Sequence, residues 1–584
     1  MKRAIFAVGT LFLIAAGASA QSNESFFMRD AVGVKNYAAA PRLAERAAMV
    51  PAVVLPSAES TVPEQILALH DWNASGREPM RNGFRRALPD MIEARISSVA
   101  AKSAVQSFGR GVIAATDRGT IAWSTVIRVE KAHRLRLHLE NAVLPEGATL
   151  WVYSAGQTPI GFGRELVDEK GNLWTPSVRG ETVYLDVEVP ANNAAASFTI
   201  SEVLELVDLN LKSIRPQDAP TCLVDATCVG SSTFGAITSA KKAIASLFFV
   251  TSGGGAVCTG GLLNDLTNSG TPYLLTANHC FSSQTVATTL EAVFDFQTDS
   301  CQGNFNRDTA PTVNGATWLA SSSTSDFTLV RLNSIPSGRV LLGWNANASA
   351  VPSGTMLHRI SHPVPGEDIF PQAYSSTLVD TATGICTGYS RTNFLYSTSV
   401  GGQGGVYGGS SGSPVMLANG QVVGQLLGSC GPEPSAGCDQ RNSTVDGAFS
   451  SSFPAIQSII AGSGAQPSVC TQNATTMCLA DNRFAVSATW RTTDGNNGAG
   501  QAVRLTADTG YFTFFNASNV EAVVKVLNAC GLNQKYWVFA GGLTNVNVVL
   551  TVRDTKTGTT KSYTNPQSTA FQPIQDTGAF ATCP

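Results

Sequence analysis

Three side chains that lie far apart in this sequence have the types needed to turn a serine hydroxyl into a nucleophile: Ser411, His279 and Asp326. A serine hydroxyl is a weak nucleophile near neutral pH. It needs a base, a group that orients this base, and donors for the oxyanion that forms. Ser411 lies in the run 401–415, where seven of fifteen residues are glycine. Such a run predicts a backbone that bends sharply or approaches a ligand closely.

The base and the carboxylate both stand beside short apolar runs that predict strands. His279 lies in the segment Thr276–Cys280, which follows the apolar run Tyr273–Leu275. Asp326 comes directly before Phe327–Val330. We select Asp326 because a strand follows it immediately. The other carboxylates considered between the two motifs are Asp295, Asp299 and Asp308.

Chain order separates two interpretations of Ser411. The segment Gly408–Gly412 also reads G-x-S-x-G, the nucleophile elbow of α/β-hydrolases, but that fold requires a histidine after the serine. The last histidine of the chain is His362, so this interpretation fails. The order histidine, aspartate, serine is that of chymotrypsin. His358 and His362 are the rival bases.

These motifs resemble those of chymotrypsin-like serine proteases. Gly-Ser-Ser-Gly-Ser-Pro around Ser411 is similar to the family's Gly-Asp-Ser-Gly-Gly-Pro signature, and Thr276–Cys280 is similar to its Thr-Ala-x-His-Cys box. The most similar type is the secreted bacterial lysyl endopeptidase. The resemblance implies a double β-barrel, with His279 as base, Asp326 as its orienting group and Ser411 as nucleophile. The backbone N–H groups of Gly409 and Ser411 would form the oxyanion hole.

The resemblance further implies protein or peptide substrates and a mechanism without a metal or other cofactor. His358 and His362 resemble a His-Pro segment of the same family that lies outside the triad.

Twelve cysteines occur, all at or beyond Cys222, which is typical of an exported chain with disulfide bonds. The resemblance implies the pairs Cys258–Cys280, Cys228–Cys301, and Cys222 with either Cys430 or Cys438, leaving the other of these for Cys386. An even set near the C-terminus is expected to pair internally: Cys470, Cys478, Cys530 and Cys583.

The residues at the positions that determine P1 specificity differ from those of the family. Gly405 stands where trypsin carries its pocket aspartate, and Leu427 stands where lysyl endopeptidases carry a pocket-side histidine. Their pocket acid aligns with Thr444, while Asp446 and Asp439 are near without being aligned. A buried lysine ammonium without a carboxylate costs several kcal/mol. If neither aspartate reaches the pocket, we expect a small or apolar P1 side chain.

The residue that serves activation in trypsin-type enzymes also differs here. Ser410 stands where trypsin-type enzymes carry the aspartate that binds the new N-terminus, so we expect release of an N-terminal pro-domain to activate the enzyme instead. By resemblance this pro-domain acts as an intramolecular inhibitor or folding aid. A cut after Lys212 is plausible, because Arg215 is followed by proline.

The N-terminus and the charge balance indicate the compartment. Lys2 and Arg3, the apolar run Ala4–Ala16 and the small residues Ala18–Ala20 predict a secretory signal peptide. The apolar core is shorter than the roughly 20 residues that span a membrane. The 39 basic and 42 acidic residues provide no basic surface for nucleic acid or membrane. We expect a secreted monomer.

Length and strand patterns predict several domains. The 584 residues suggest about three to five. Alternating runs such as Leu135–Glu140 and Phe484–Trp490 predict β-sandwiches on either side of the motifs. The predicted divisions are a signal peptide at 1–20, an N-terminal pro-region at 21–98, a β-sandwich pro-domain at 99–205, a linker with a processing site at 206–216, a serine protease domain at 217–463 and a C-terminal β-sandwich domain at 464–584.

The sequence thus predicts an all-β secreted serine endopeptidase made as a preproenzyme. The alternative from another class is a secreted binding or adhesion protein whose protease-like domain no longer cuts.

Overall fold

The fold is known from a computed structural model, which describes residues 22–46, 50–97, 104–191, 195–207, 220–305, 307–365, 369–379, 388–400, 404–461, 470, 472–555 and 560–583. The predicted signal peptide, the proposed cut at Lys212 and Cys386 lie outside these residues.

Before residue 208 the chain is mostly strand, with three helices. The strands are β1 (Phe26–Phe27), β2 (Val53–Leu55), β3 (Met80–Ser97), β4 (Gln106–Phe108), β5 (Gly111–Ala115), β6 (Thr120–Val129), β7 (Arg134–Val143), β8 (Thr149–Tyr153), β9 (Ile160–Phe162), β10 (Leu173–Trp174), β11 (Val178–Arg179), β12 (Thr182–Pro190) and β13 (Ala195–Leu206). The helices are α1 (Leu43–Arg46), α2 (Ala58–Thr61) and α3 (Pro63–Ala74), with a 3₁₀ turn at Arg164–Leu166.

Two sheets face each other as a sandwich in this region. One has the order β4-β5-β6-β12-β8-β9, with β2 parallel to β6. The other contains β7, β13 and β3 as neighbours. Trp123 of the first sheet and Leu137 of the second are fully buried in one apolar core. The predicted sandwich is therefore present.

Strand β3 belongs to this sandwich, although the predicted division between the pro-region and the pro-domain lies after it, at residue 98. Its Ile92, Ala94 and Ile96 are buried in the sandwich core, and it pairs with β13 along most of its length. Arginines and Pro89 interrupt its apolar alternation, so the run does not read as a strand in isolation. Pairing with β13 stabilises it there.

The strands after residue 219 build two barrels. They are β14 (Val224–Asp225), β15 (Ile244–Thr251), β16 (Gly254–Leu263), β17 (Tyr273–Ala277), β18 (Glu291–Phe294), β19 (Thr312–Asn314), β20 (Ala316–Ser322), β21 (Phe327–Leu332), β22 (Val340–Leu341), β23 (Met356–Ser361), β24 (Ala373–Val379), β25 (Phe394–Ser399), β26 (Pro414–Met416), β27 (Val422–Cys430) and β28 (Ser443–Ala448). The helices are α4 (Ile237–Ala243), α5 (Gln284–Ala287) and α6 (Phe449–Ile460), with 3₁₀ turns at Ala226–Cys228, Arg307–Thr309 and Ala348–Ala350.

In the first barrel, β15 and β17 flank β16, β18 follows β15, and β21 follows β17. Strand β19 pairs with β18, β20 pairs with β21, and β19 and β20 follow each other in the chain. Gly315 lies between them at φ +74°, a left-handed conformation that glycine adopts without strain. In the second barrel the order β24-β23-β26-β27-β28-β25 closes by pairing of β25 with β24.

The sandwich and the first barrel share a sheet. The start of β3 pairs antiparallel with the start of β16, with Gly83 opposite Gly255 and Met80 opposite Val257. A side chain at Gly254 would lie 2.2 Å from the backbone oxygen of Gly83, so this contact requires glycine. The N-terminal region therefore adds a strand to the barrel.

A second sandwich follows α6. Its strands are β29 (Met477–Leu479), β30 (Phe484–Arg491), β31 (Asn497–Ala499), β32 (Gln501–Arg504), β33 (Thr509–Thr513), β34 (Ala522–Ala529), β35 (Lys535–Gly542), β36 (Asn547–Asp554), β37 (Thr560–Asn565) and β38 (Ile574–Phe580), with helix α7 at Cys530–Asn533. Two five-stranded sheets enclose Phe484, Val538 and Leu550. The bonds Cys470–Cys478 and Cys530–Cys583 lie within it, so internal pairing of the last four cysteines is confirmed.

None of the helices in the described residues combines the length and apolar character needed to cross a bilayer.

Candidate active site

The pairing of β17 with β21 brings His279 and Asp326 together. Ala277, the last residue of β17, lies opposite Phe327, the first residue of β21. His279 therefore follows one strand at the point where Asp326 precedes the other. The N–H of Asn278 donates to the backbone oxygen of Asp326 at 2.9 Å and extends the ladder by one step.

Asp326 holds the ring of His279 in one orientation. Its Oδ1 accepts from the backbone N–H of His279 at 2.9 Å, and its Oδ2 lies 2.7 Å from the ring Nδ1. Because an ionised carboxylate can only accept, Nδ1 is the donor, and Nε2 of the neutral ring is left as the acceptor. Burial alone lowers the pKa of His279, but the hydrogen bond and charge of Asp326 outweigh it and raise that pKa above its ordinary value.

Ser411 lies in a tight loop before β26 that glycine makes possible. Gly409 has φ +86° and Gly412 has φ +80°. A Cβ at Gly409 would lie 2.8 Å from the backbone oxygen of His362, and one at Gly412 would lie 2.2 Å from Oγ1 of Thr276. The positive φ angles and the short distances to neighbouring atoms both exclude a side chain at these two positions.

The N–H groups of this loop fall into two sets. Those of Ser410, Gly412 and Ser413 donate to backbone oxygens. Within the described part of the chain, the N–H groups of Gly409 and Ser411 donate to no protein group. Gly409 and Ser411 are the two residues whose N–H groups are predicted to form the oxyanion hole.

The rival histidines and carboxylates are either bonded to other groups or fully buried. Nδ1 of His358 lies 2.8 Å from the hydroxyl of Tyr374. His362 is fully buried, which lowers its pKa to about 3. The alternative carboxylates are also engaged elsewhere: Asp295 with Arg339 and Lys242, Asp308 with Arg134, and Asp299 with the backbone of Asn304.

One cluster near the site has metal-ligating residue types. It consists of Cys258, His279 and Cys280. The two cysteines form a disulfide with each other, so neither sulfur is available as a thiolate ligand. The bond instead ties the loop of His279 to β16.

Comparisons with known proteins match two parts of this chain to one protease family. Residues 217–449 match the family model for the lysyl endopeptidase C-terminal domain, and residues 87–202 match the model for the lysyl endopeptidase N-terminal domain. A lysyl endopeptidase of Pseudomonas aeruginosa is 28% identical over 322 residues, which cover 53% of this chain and 68% of the relative. The chain is a serine endopeptidase of the lysyl endopeptidase type.

Solved structures also align with part of the protease. The scabies mite inactivated protease paralogue S-I1 is 16% identical, with a TM-score of 0.27, and the match covers 38% of this chain and 95% of that one. Kallikrein-related peptidase 10 in complex with Zn²⁺ is 15% identical, with a TM-score of 0.26, covering 38% and 96%.

A cavity of about 1000 Å³ opens at the candidate site of the protease. His279 and Ser411 line it, and so does Ser75–Glu78, a segment just before β3. The side chain of Met80 lies beside Gly408, since a Cβ there would be 3.0 Å from its sulfur. The N-terminal region of the protease therefore lies across the site.

Glu78 is a site residue that the sequence motifs did not indicate. Burial raises the pKa of its carboxyl group, while the His279 ring and the Ser411 hydroxyl are close enough to oppose that shift. Its Oε2 accepts from the N–H of Met80 at 3.0 Å. No local motif marks this glutamate. Its position follows from the pairing of β3 with β16, which is long-range.

The base and the nucleophile share the cavity without a direct bond. Among the residues that the structure describes, no hydrogen bond joins the hydroxyl of Ser411 to the ring of His279. Catalytic hydrogen bonds are often long or misaligned before substrate binds, so this geometry does not exclude the pair.

The specificity candidates of the protease separate into two groups. Leu427 lines the cavity. Thr444 and Asp446 do not, because Val445 lines it and successive side chains of a strand point to opposite faces. Gly405 packs against backbone, with a Cβ there 2.2 Å from the oxygen of Gly437.

Asp439, the remaining specificity candidate, pairs with Arg441 outside the cavity lining. Thr444, where the family's pocket acid aligns, and the nearby Asp446 and Asp439 are thus not among the described residues that line this cavity, and the P1 preference stays a prediction.

Disulfides in the protease follow the predicted scheme. The structure joins Cys258 to Cys280, Cys228 to Cys301, and Cys222 to Cys438. This settles the open choice for Cys222. Cys430 is also disulfide-bonded, and Cys386 lies outside the described residues. In place of the activation aspartate, Ser410 is buried and accepts from the hydroxyl of Ser361 at 3.1 Å.

Proposed function

We propose that this protease is a secreted enzyme that hydrolyses peptide bonds through His279, Asp326 and Ser411. The observation that carries the proposal is the contact between Nδ1 of His279 and Oδ2 of Asp326, at 2.7 Å, in the cavity that Ser411 also lines. Such a contact leaves Nε2 free to accept a proton.

The reaction would proceed in two halves. Oγ of Ser411 attacks the peptide carbonyl carbon while Nε2 of His279 takes its proton. His279 then gives this proton to the leaving amine, and an acyl ester on Ser411 remains. Water, activated by His279, hydrolyses the ester and returns the proton to Ser411. Asp326 keeps the ring in its tautomer and stabilises the imidazolium.

The oxyanion would be bound by the N–H groups of Gly409 and Ser411. The observation that supports this role is that neither group donates within the described residues, while their neighbours do. Loss of one such donor typically costs a factor of 10²–10³ in rate.

The precursor would be kept inactive by its own N-terminal region. Addition of β3 to β16 and seating of Ser75–Glu78 in the cavity support this, because a substrate needs the same space. The signal peptide at 1–20, the processing site between 206 and 216 and a mature enzyme from about 217 complete the proposed precursor. The C-terminal sandwich has no assigned ligand.

A fluorophosphonate probe tests the proposal, because it labels only an activated serine. The full chain is expressed, the secreted product is labelled, and the modified peptide is identified by mass spectrometry. We expect label on Ser411 and none in the Ser411→Ala or His279→Ala variant. Absence of label on Ser411 in the processed protein favours the alternative, a binding protein with a silent protease domain.

A further inference from the structure

We infer that this enzyme cleaves after apolar P1 side chains and discriminates against lysine. The inference rests on the proposed function, since it concerns the pocket beside Ser411. It follows from the charges that line the cavity and from the positions of the carboxylates around it.

All charged side chains of the cavity belong to the N-terminal region. Five Glu, Lys or Arg residues line it: Glu59, Arg77, Glu78, Lys131 and Glu205. Every one precedes residue 208 and would leave with the pro-domain. The described lining that comes from the barrels contains no Asp, Glu, Lys or Arg.

The walls that remain beside Ser411 are mainly apolar. They come from Val406–Gly408, Leu426–Ser429 and Val445, and the barrel lining also includes Val364, Tyr389 and Pro434–Ser435. Val445 and Leu427 belong to one apolar cluster with Phe394 and Tyr396. An apolar side chain would therefore be buried among carbon atoms, which is favourable in proportion to the area removed from water.

Asp446 is the carboxylate nearest in sequence to this wall, and it is already neutralised. It lies on the strand face opposite Val445, where its Oδ1 is 2.6 Å from Nη2 of Arg359. The two side chains are 0% and 1% exposed, so neither can turn toward the cavity without leaving a buried charge unpaired. The other Nη of Arg359 donates to the backbone oxygen of Ser413 at 3.0 Å, which holds the pair in the barrel interior.

The described part of the barrels offers no partner for a charged P1 side chain. A lysine ammonium in the pocket would meet no carboxylate among the barrel residues that line the cavity. Burying a charge without a partner is strongly unfavourable, so lysine is disfavoured.

Substrate profiling tests the inference. The processed enzyme from full-chain expression is first titrated with the fluorophosphonate, and kcat/KM is then measured on fluorogenic peptides that differ only at P1: Leu, Phe, Met and Lys. We expect the apolar residues to exceed lysine by about 10²-fold or more. A clear preference for lysine by an enzyme that labels at Ser411 overturns the inference and leaves the proposed function intact. If Ser411 does not label and no peptide is cut, both are overturned.

A matched pair of variants tests whether the wall at Leu427 determines the P1 preference. In Leu427→Asp a carboxylate is added to the wall, while Leu427→Asn has the same shape without the charge. We expect the ratio of lysine to leucine cleavage to rise at least about tenfold in Leu427→Asp relative to Leu427→Asn. Ser429→Asp and Ser429→Asn provide a second pair in case the first is unstable. An unchanged ratio in a folded, labelled Asp variant means that this wall does not contact P1 and overturns the inference.

Discussion

Asp326 contacts His279 at two points, with Oδ1 on the backbone N–H at 2.9 Å and Oδ2 on Nδ1 at 2.7 Å. The first contact fixes the loop, and the second fixes the tautomer of the ring. We expect Asp326→Asn to lower kcat by about 10⁴-fold, because an amide that donates to Nδ1 favours the wrong tautomer.

The control for this variant is Asp299→Asn, the same substitution at a rival carboxylate on the surface. We expect it to retain nearly full kcat. Both variants are compared on one peptide substrate after active-site titration. Equal loss in the two variants, or none in Asp326→Asn, would show that Asp326 does not orient the base.

The pH dependence of kcat/KM should have an acid limb set by His279. The base must be neutral, so activity is present above the pKa of His279 and is lost as the pH falls through it. Asp326 raises that pKa. Asp326→Asn should therefore move the limb to lower pH while Asp299→Asn leaves it in place. A limb that stays fixed or moves upward in Asp326→Asn contradicts the assignment.

The unprocessed precursor should become reactive when Glu78 is removed. Glu78 lies beside Ser411 and His279 in the cavity. Labelling of the full chain, followed by in-gel fluorescence, separates precursor from mature enzyme by size. We expect label only on the mature band in the wild type, and at least a tenfold stronger precursor band in Glu78→Ala, since the carboxyl group no longer occupies the site.

Glu59→Ala is the control for this experiment, because Glu59 also lines the cavity but pairs with Lys131 at its exposed rim. We expect no fluorescent label on the precursor band of Glu59→Ala. Equal precursor labelling in Glu59→Ala and Glu78→Ala would indicate general loosening of the N-terminal region and would rule out a specific role for Glu78.

The ion pair between Arg359 and Asp446 should matter for stability. Removal of one partner of a buried pair leaves an uncompensated charge, so Arg359→Met is expected to lower the free energy of unfolding by about 3–5 kcal/mol. The double variant Arg359→Met/Asp446→Leu should recover much of this loss. Calorimetry in a Ser411→Ala background, which prevents self-digestion, measures both. If the single and double variants unfold alike, the charge of Asp446 is not the cause.

Much of this arrangement could be predicted because the signals are local. The apolar runs before His279 and after Asp326 form strands β17 and β21, and the glycines around Ser411 have the conformations that glycine permits. The tail strands could be predicted for the same reason, since their alternation is regular.

Other features could not be predicted because they depend on contacts between distant segments. The residue pattern of β3 does not indicate a strand by itself, and the strand is stabilised by pairing with β13 and β16. Glu78 reaches the site only through that pairing. The choice of Cys438 for Cys222, 216 residues away, depends on how the second barrel closes.

The amino-acid sequence by itself determined the residues that could do chemistry and the all-β class, because each motif and each strand pattern involves a few neighbouring residues. The order of the three motifs along the chain then separated the chymotrypsin-like interpretation from the α/β-hydrolase one. Only the tertiary structure decided which face of β28 meets the cavity. Alternation along a strand places Val445 at the wall and Asp446 against Arg359, and a shift by one residue would reverse them. The residue types around position 444 do not specify that register, because all six residues of β28 are buried and its two faces do not differ in exposure.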